Sequence, residues 1–157
     1  MERSIEDPDL THAVNATGSM RVYQAARAAG VERVVYSASC AAYGQAQALP
    51  ISETTPLSPE SPYAASKLEA EIVCLQVHKT CGLPITIARP FNHIGAGQHP
   101  TYFLPTVARQ VRAAQEQGLK TTTLTIGNVE VVRDLTHVND VCAAYHKVLT
   151  DGEPGTL

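Results

Sequence analysis

A basic surplus, a Cys-x-x-Cys pair, a histidine cluster and a long apolar run are all missing from this sequence. Charged residues fill only 17% of its 157 positions and sum to a formal net charge of −3. Without excess cations to displace counterions from phosphate, non-specific nucleic-acid binding is excluded. The four cysteines, Cys40, Cys74, Cys81 and Cys142, have no motif spacing and read as reduced thiols of a cytosolic protein. The six histidines are scattered, so no structural or catalytic metal is expected. No apolar stretch approaches the roughly 20 residues that span a bilayer. The start, Met1-Glu2-Arg3-Ser4-Ile5-Glu6-Asp7, is polar and acidic, unlike a secretory signal. The expectation is a soluble, cytoplasmic protein without membrane or nucleic-acid partners.

What is present is a chain of which 44% is hydrophobic, enough to bury a core. The spacing of Leu10, Val14, Gly18, Val22, Ala25 and Ala29 predicts a helix from about Pro8 to Ala29 with these residues on one face. Gly30 supplies its left-handed end. Arg33 to Ser37 is short, β-branched and nearly uncharged, the profile of a strand buried on both faces. The rhythm repeats. Pro62 opens a second helix, Leu68, Ile72, Leu75 and Lys79 form its stripe, and Gly82 stops it. Pro84 to Ala88 is a second strand of the buried type.

Two helix–strand repeats predict an α/β fold with a doubly wound parallel sheet. Beyond Arg89 the pattern changes. Pro90 to His99 reads as a loop, Leu104 to Gln117 as a helix, Thr121 to Ile126 as a strand, Gly127 to His137 as a loop and Val138 to Leu149 as a last helix.

The densest chemistry is Ser61-Pro62-Tyr63-Ala64-Ala65-Ser66-Lys67, which sets Tyr63 and Lys67 on one helix face. A tyrosine working as acid or base near neutral pH needs a positive charge nearby, because its ordinary pKa is ~10. Alone, this pair is weak evidence, since Tyr and Lys four apart occur on many surface helices. Twenty residues earlier, Tyr36-Ser37-Ala38-Ser39-Cys40-Ala41-Ala42-Tyr43-Gly44 follows a predicted parallel strand, where open α/β sheets place their ligands. Small hydroxyl groups there can exchange a proton with a substrate oxygen.

Ser-x-x-x-Tyr-Gly, then Ser-Pro-Tyr-x-x-x-Lys, then Arg89-Pro90-Phe91-Asn92 after the next strand, resembles the extended short-chain dehydrogenase/reductases, the NAD-dependent epimerase/dehydratase group. Val132-Arg133-Asp134-Leu135-Thr136-His137-Val138-Asn139-Asp140-Val141 is similar to a fourth segment of that family, and Asn15 matches its structural asparagine. Within the family, Arg89 to Gln98 and Gly127 to Asp134 most resemble the reductases of GDP-4-keto-6-deoxy-mannose.

The resemblance implies a partial Rossmann-like sheet over residues 1–90 and the start of a smaller substrate-binding region over 91–157. It implies Ser39, Tyr63 and Lys67 as catalytic residues, with Ser37, Tyr63, Lys67 and Pro90 contacting NAD or NADP. Ser39, Asn92 and Arg133 would hold a nucleotide sugar, a GDP-sugar in preference, and Arg133 would pair with its diphosphate. His137 reads as structural. A homodimer through the Pro8–Ala29 and Pro62–Cys81 helices is also implied.

Two departures qualify this. Ala41 stands where many family dehydratases and these reductases carry Glu, which disfavours base-catalysed dehydration and leaves a 4-epimerase open. The Gly-rich turn that binds the cofactor pyrophosphate is also missing, because Gly95-Ala96-Gly97 is the only G-x-G and opens a loop. The sequence therefore reads as a fragment of such an enzyme, or as a non-catalytic remnant of one.

Overall fold

The structure, a computed structural model, describes residues 2–157. The chain forms two units, one running to Phe91 and taking in Cys142–Leu157, the other comprising Asn92–Val141.

In the first unit, α1 (Glu2–Glu6) leads into α2 (Pro8–His12), a π-helical turn (Ala13–Thr17) and α3 (Gly18–Ala28). Asp7 caps α2, accepting a bond from the Leu10 N–H at 2.9 Å, and Pro8 occupies a position where no N–H is needed. Strand β1 (Val34–Ser37) follows, then a 3-10 turn (Cys40–Tyr43), the helix α4 (Pro62–Cys81) and β2 (Ile85–Ala88). Ser61 caps α4 through the Ala64 N–H at 3.2 Å, and Gly82 closes it in the left-handed conformation at φ 70°. Both ends of this helix are where Ser61-Pro62 and Gly82 put them.

Strands β1 and β2 pair in parallel, Val34 opposite Ile85 through Ser37 opposite Ala88. The other edge of β2 is also engaged. The Ile87 N–H donates to the Thr156 carbonyl at 2.9 Å, and the Gly155 N–H donates to the Ile85 carbonyl at 2.7 Å. Bonded on both sides, Ile85, Thr86 and Ile87 are buried. The expectation of burial on both faces holds for β2 but not for β1, where only Tyr36 is buried and Ser37 is exposed.

Alternation along β1 sends neighbouring side chains to opposite faces. Tyr36 reaches α4, donating its hydroxyl to the Lys67 carbonyl at 2.9 Å. Ser37 meets the hydroxyl of Tyr145, on α6 (Val138–Asp151), at 2.7 Å. The core lies on the α4 side, where Tyr23, Tyr36, Ala70, Cys74, Val77, Leu83, Ile85 and Ile87 cluster. Each fully buried apolar side chain there contributes on the order of 1.5–3 kcal/mol.

The helix faces are the main correction. The predicted stripe is turned outward, with Leu10, Val14 and Val22 at 55%, 61% and 60% exposure, while Ala16 and Tyr23 are buried. A π turn winds more residues per turn than an α-helix, so a 3.6-residue pattern read across Ala13–Thr17 loses its phase. In α4, Ile72 and Leu75 are exposed, and the inner face is made of Ala64, Ser66, Ala70, Glu71, Cys74 and Val77. Small side chains dominate the face that meets the strands, and Ile72 and Leu75 point away from it.

In the second unit, β3 (Asn92–Ile94) pairs in parallel with β4 (Leu135–His137), in segments expected to be loops. These runs of three residues are too short and too polar to give a strand signal alone. Helix α5 (Phe103–Glu116) is as expected, but the strand predicted over Thr121 to Ile126 does not form. Its backbone turns instead to a side chain. Gln110 donates to the Thr125 carbonyl at 2.8 Å and accepts from the Thr125 N–H at 2.7 Å.

Burial pushes the Cys74 thiol up to about 12 from its ordinary value near 9. Its proton is thus held by the folded state above the pH at which the unfolded thiol loses it. Stability from this group is intact below about pH 9 and falls as pH rises towards 12. Denaturant midpoints measured from pH 8 upward should decline accordingly. At pH 8 a thiol reagent should modify exposed Cys142 at once and Cys74 only on unfolding.

Candidate active site

The start of α4 is anchored from two directions. Asn15, in the π turn, donates its amide to the Ser66 hydroxyl at 3.0 Å, and Ser66 donates to the Tyr63 carbonyl at 2.9 Å. Ser66 is fully buried, so this bond is shielded from water. Tyr63 itself is half-buried and lines an open cleft of about 590 Å³ with Arg3, Leu10, Thr11, Val14 and Asn15.

One turn on, Lys67 donates its ammonium to the Ser37 carbonyl at the end of β1. Its Nζ also lies over the Tyr36 ring, 4.9 Å from the centroid, in a cation–π contact. Burial lowers the lysine's pKa from its ordinary value. The Tyr36 phenol is held well above the usual tyrosine range, first by burial and then by Glu71, Cys74 and Tyr63. It therefore serves as a neutral donor to the Lys67 carbonyl. Helix α4 and the end of β1 are thus locked by two hydrogen bonds, one to each partner's backbone.

The turn after β1 is fixed just as closely. The Ser39 hydroxyl accepts from the Ala41 N–H at 3.2 Å, capping the 3-10 turn, and the Cys40 N–H donates to the Pro90 carbonyl at 3.2 Å. At Gly44, φ is 61° and a Cβ would stand 1.9 Å from the Ser58 carbonyl oxygen, so only glycine fits. This explains the glycine of the Tyr-Gly pair.

Of the residues singled out from sequence, Ser37 and Lys67 are in direct contact. Ser39 occupies the adjoining turn beside Pro90, and Tyr63 shares the helix face of Lys67. Asn92 and Arg133 belong to the second unit. Asn92 opens β3 and donates its amide to the Asp134 carbonyl at 3.3 Å. Arg133 is exposed and, among the described residues, makes no ion pair. His137 accepts from the Asn139 N–H at 3.2 Å at the start of α6, a structural contact.

Three residues were given no role from the sequence, although Tyr43 and Arg89 stand in its motifs. Arg89 donates Nε to Glu71 Oε2 at 2.9 Å and Nη2 to Glu71 Oε1, and Nη1 to the Tyr43 hydroxyl at 2.9 Å. The side chains of this pair are 9% and 5% exposed. Hydrogen bonding to Glu71 raises the Arg89 pKa further, against the opposing effect of burial. The signal was there, since Glu71 continues the four-residue spacing of Tyr63 and Lys67. Among the described residues, no cluster of His, Cys, Asp or Glu could hold a metal, and no helix is long and apolar enough to cross a membrane.

A parallel strand pair, a hydroxyl-bearing turn at its C-terminal end and a Tyr–Lys helix packed on that end thus form one arrangement in the first unit. The profile of the NAD dependent epimerase/dehydratase family matches residues 1–157, and the chain belongs to this family. It is 41% identical to the GDP-6-deoxy-D-mannose reductase of Pseudomonas aeruginosa over 157 residues, covering 98% of this chain and 51% of that protein. It is 34% identical to the UDP-glucose 4-epimerase of Mycolicibacterium smegmatis, over 92% of this chain and 46% of the relative.

Among solved structures, RMD from Pseudomonas aeruginosa complexed with NADPH is similar at a TM-score of 0.90 and 40% identity, over 99% of this chain and 54% of that one. The dTDP-glucose 4,6-dehydratase DesIV of Streptomyces venezuelae, with NAD bound, gives 0.84 at 33% identity, over 99% and 46%. The chain spans about half the length of the relatives it matches.

Proposed function

We propose that this chain carries the catalytic residues of an NAD(P)-dependent nucleotide-sugar oxidoreductase of the 4-keto-6-deoxy-sugar reductase type. The observation that carries this reading is the lock of Lys67 onto the Ser37 carbonyl, one helical turn from Tyr63. An ammonium has three N–H donors, and the bond to Ser37 takes one, leaving others for a ribose hydroxyl. Ser37 is exposed at the strand end, where a cofactor would lie. When bound, the nicotinamide supplies the hydride.

The protein's part is the proton. Tyr63 gives its phenolic proton to the carbonyl oxygen as that carbon accepts the hydride, and Lys67 stabilises the phenolate left behind. Ser39 uses its hydroxyl lone pair on Ala41 and keeps its hydrogen for the substrate oxygen. Arg133, an exposed guanidinium with no ion pair among the described residues, suits a sugar-nucleotide diphosphate, and Asn92 suits the sugar. A GDP-sugar is the favoured substrate class, by similarity to the Pseudomonas reductase.

A 4-epimerase is the second reading. Ala41 in the strand-end turn offers no carboxylate for proton abstraction beside a carbonyl, which argues against dehydration, and it departs from the resembled reductases as well, so this position favours the epimerase. The outward Leu10, Val14, Val22 and Ile72 support a homodimer formed through the first-unit helices.

These 157 residues hold no Gly-rich turn, so on this reading they bind the nicotinamide end of the cofactor and not its pyrophosphate. Titration calorimetry of the purified chain with NAD, NADH, NADP and NADPH should give affinities about three decades below those of an enzyme with such a turn. The missing charge-assisted bonds are worth ~1.5–3 kcal/mol each. Micromolar one-to-one binding would overturn this division of labour.

A further inference from the structure

We propose that Glu71, Arg89 and Tyr43 form a positioning triad, which holds the turn carrying Ser39 in register with the helix face carrying Tyr63 and Lys67. The inference rests on the reading of those three residues as the reacting site.

Tyr63, Lys67 and Glu71 follow one another at four-residue intervals on α4 and so form a single stripe. The second and third members both grip a strand end. Lys67 bonds the Ser37 carbonyl where β1 stops, and Glu71 binds the guanidinium of Arg89, the residue directly after β2. Arg89 then spends its remaining face on the turn itself. Nη1 bonds the Tyr43 hydroxyl at 2.9 Å, and the guanidinium lies 5.0 Å from the centre of the Tyr43 ring.

Tyr43 ends the 3-10 turn that Ser39 caps, and the Cys40 N–H holds the same turn to the Pro90 carbonyl, one residue past Arg89. Helix stripe, strand ends and hydroxyl-bearing turn therefore converge on one buried side chain. A planar fork can bond a carboxylate on two nitrogens and a phenol on a third, and lysine cannot. Mere cohesion is a poor explanation of such a group, because well-packed apolar residues would hold these elements together about as firmly.

The test uses this chain as it stands and needs no turnover, so its result is independent of whether Tyr63 is the acid. Lys67 is one of four lysines, and its side-chain carbon signal can be followed by NMR as a function of pH. Its amine is partly desolvated where it bonds β1, next to Tyr36, with Glu71 and Tyr63 a turn away on either side.

Two variants that leave the net charge unchanged are compared, Tyr43→Phe, which keeps the ring and deletes one hydroxyl, and Arg89→Lys. Leu83→Ala serves as a core control of comparable destabilisation. If the triad positions, the strand end loosens from α4, water reaches Lys67, and its midpoint rises towards the ordinary lysine value. The rise should be clear in Arg89→Lys, smaller in Tyr43→Phe and absent in Leu83→Ala. An unmoved Lys67 midpoint in Tyr43→Phe and in any folded Arg89→Lys would overturn the proposal. So would an equal rise in Leu83→Ala, which would make the triad ordinary core.

Discussion

Replacing Tyr63 with phenylalanine should lower turnover by about two to four decades, the usual worth of a positioned general acid. The measurement requires a polypeptide joining this chain to a Gly-rich cofactor-binding half. Hydride transfer from NADPH to a 4-keto-6-deoxy nucleotide sugar is then followed by loss of nicotinamide absorbance. The ring of phenylalanine fills the same half-buried place in the cleft, so cofactor affinity should hardly change. Because the lost group acts only in the transition state, kcat should fall and KM stay near its starting value. Lys67→Ala differs in kind. It removes the bond to Ser37 and the donors proposed for the ribose together, so it should weaken cofactor binding and turnover alike. Wild-type kcat in Tyr63→Phe across pH 6 to 9 would assign the acid to another residue.

Removal of Glu71 should have the largest effect on stability of any single change in α4. Glu71→Ala strands a guanidinium that is 9% exposed and has already spent its other contacts on Tyr43. Breaking such a pair from one side costs about 3–5 kcal/mol, because an uncompensated charge stays buried. For a chain of this size that corresponds to a fall of roughly 6–20 °C in Tm, a large share of a total stability of ~5–15 kcal/mol. The double change Glu71→Leu with Arg89→Met should recover much of the loss, since it removes both charges and retains volume. Thermal unfolding followed by circular dichroism separates the two variants. If Glu71→Ala melted with the unaltered chain, the ion pair would be contributing nothing to the folded state.

Local chemistry was legible wherever one residue decides it. Ser61-Pro62 and Gly82 bound α4 because a cap, a missing N–H and a left-handed residue act over a few atoms. The parallel pairing of β1 and β2 was legible too, since an apolar four-residue strand needs a helix between it and a parallel neighbour. The Tyr63–Lys67 stripe and the turn after β1 were visible as spacing alone. What misled was the assumption that the most apolar helix face is the inner one. Leu10, Val14, Ile72 and Leu75 are turned outward, and the inner face of α4 is alanine, serine, cysteine, glutamate and one valine. Hydropathy counts apolar area, whereas packing against strands rewards small side chains that let backbones approach.

The sequence by itself determined where α4 starts and stops, that strands run near Val34–Ser37 and Ile85–Ala88, and that Lys67 and the hydroxyl groups after β1 share an end of the sheet. Those properties follow from backbone conformation and from periodicity within one element. Only the tertiary structure decided which helix faces are buried and that β3 and β4 pair. It also decided that Glu71, Arg89 and Tyr43, up to 46 residues apart, meet in one buried contact. Partners distant in the chain are chosen by the closure of the fold, and no local propensity encodes their meeting.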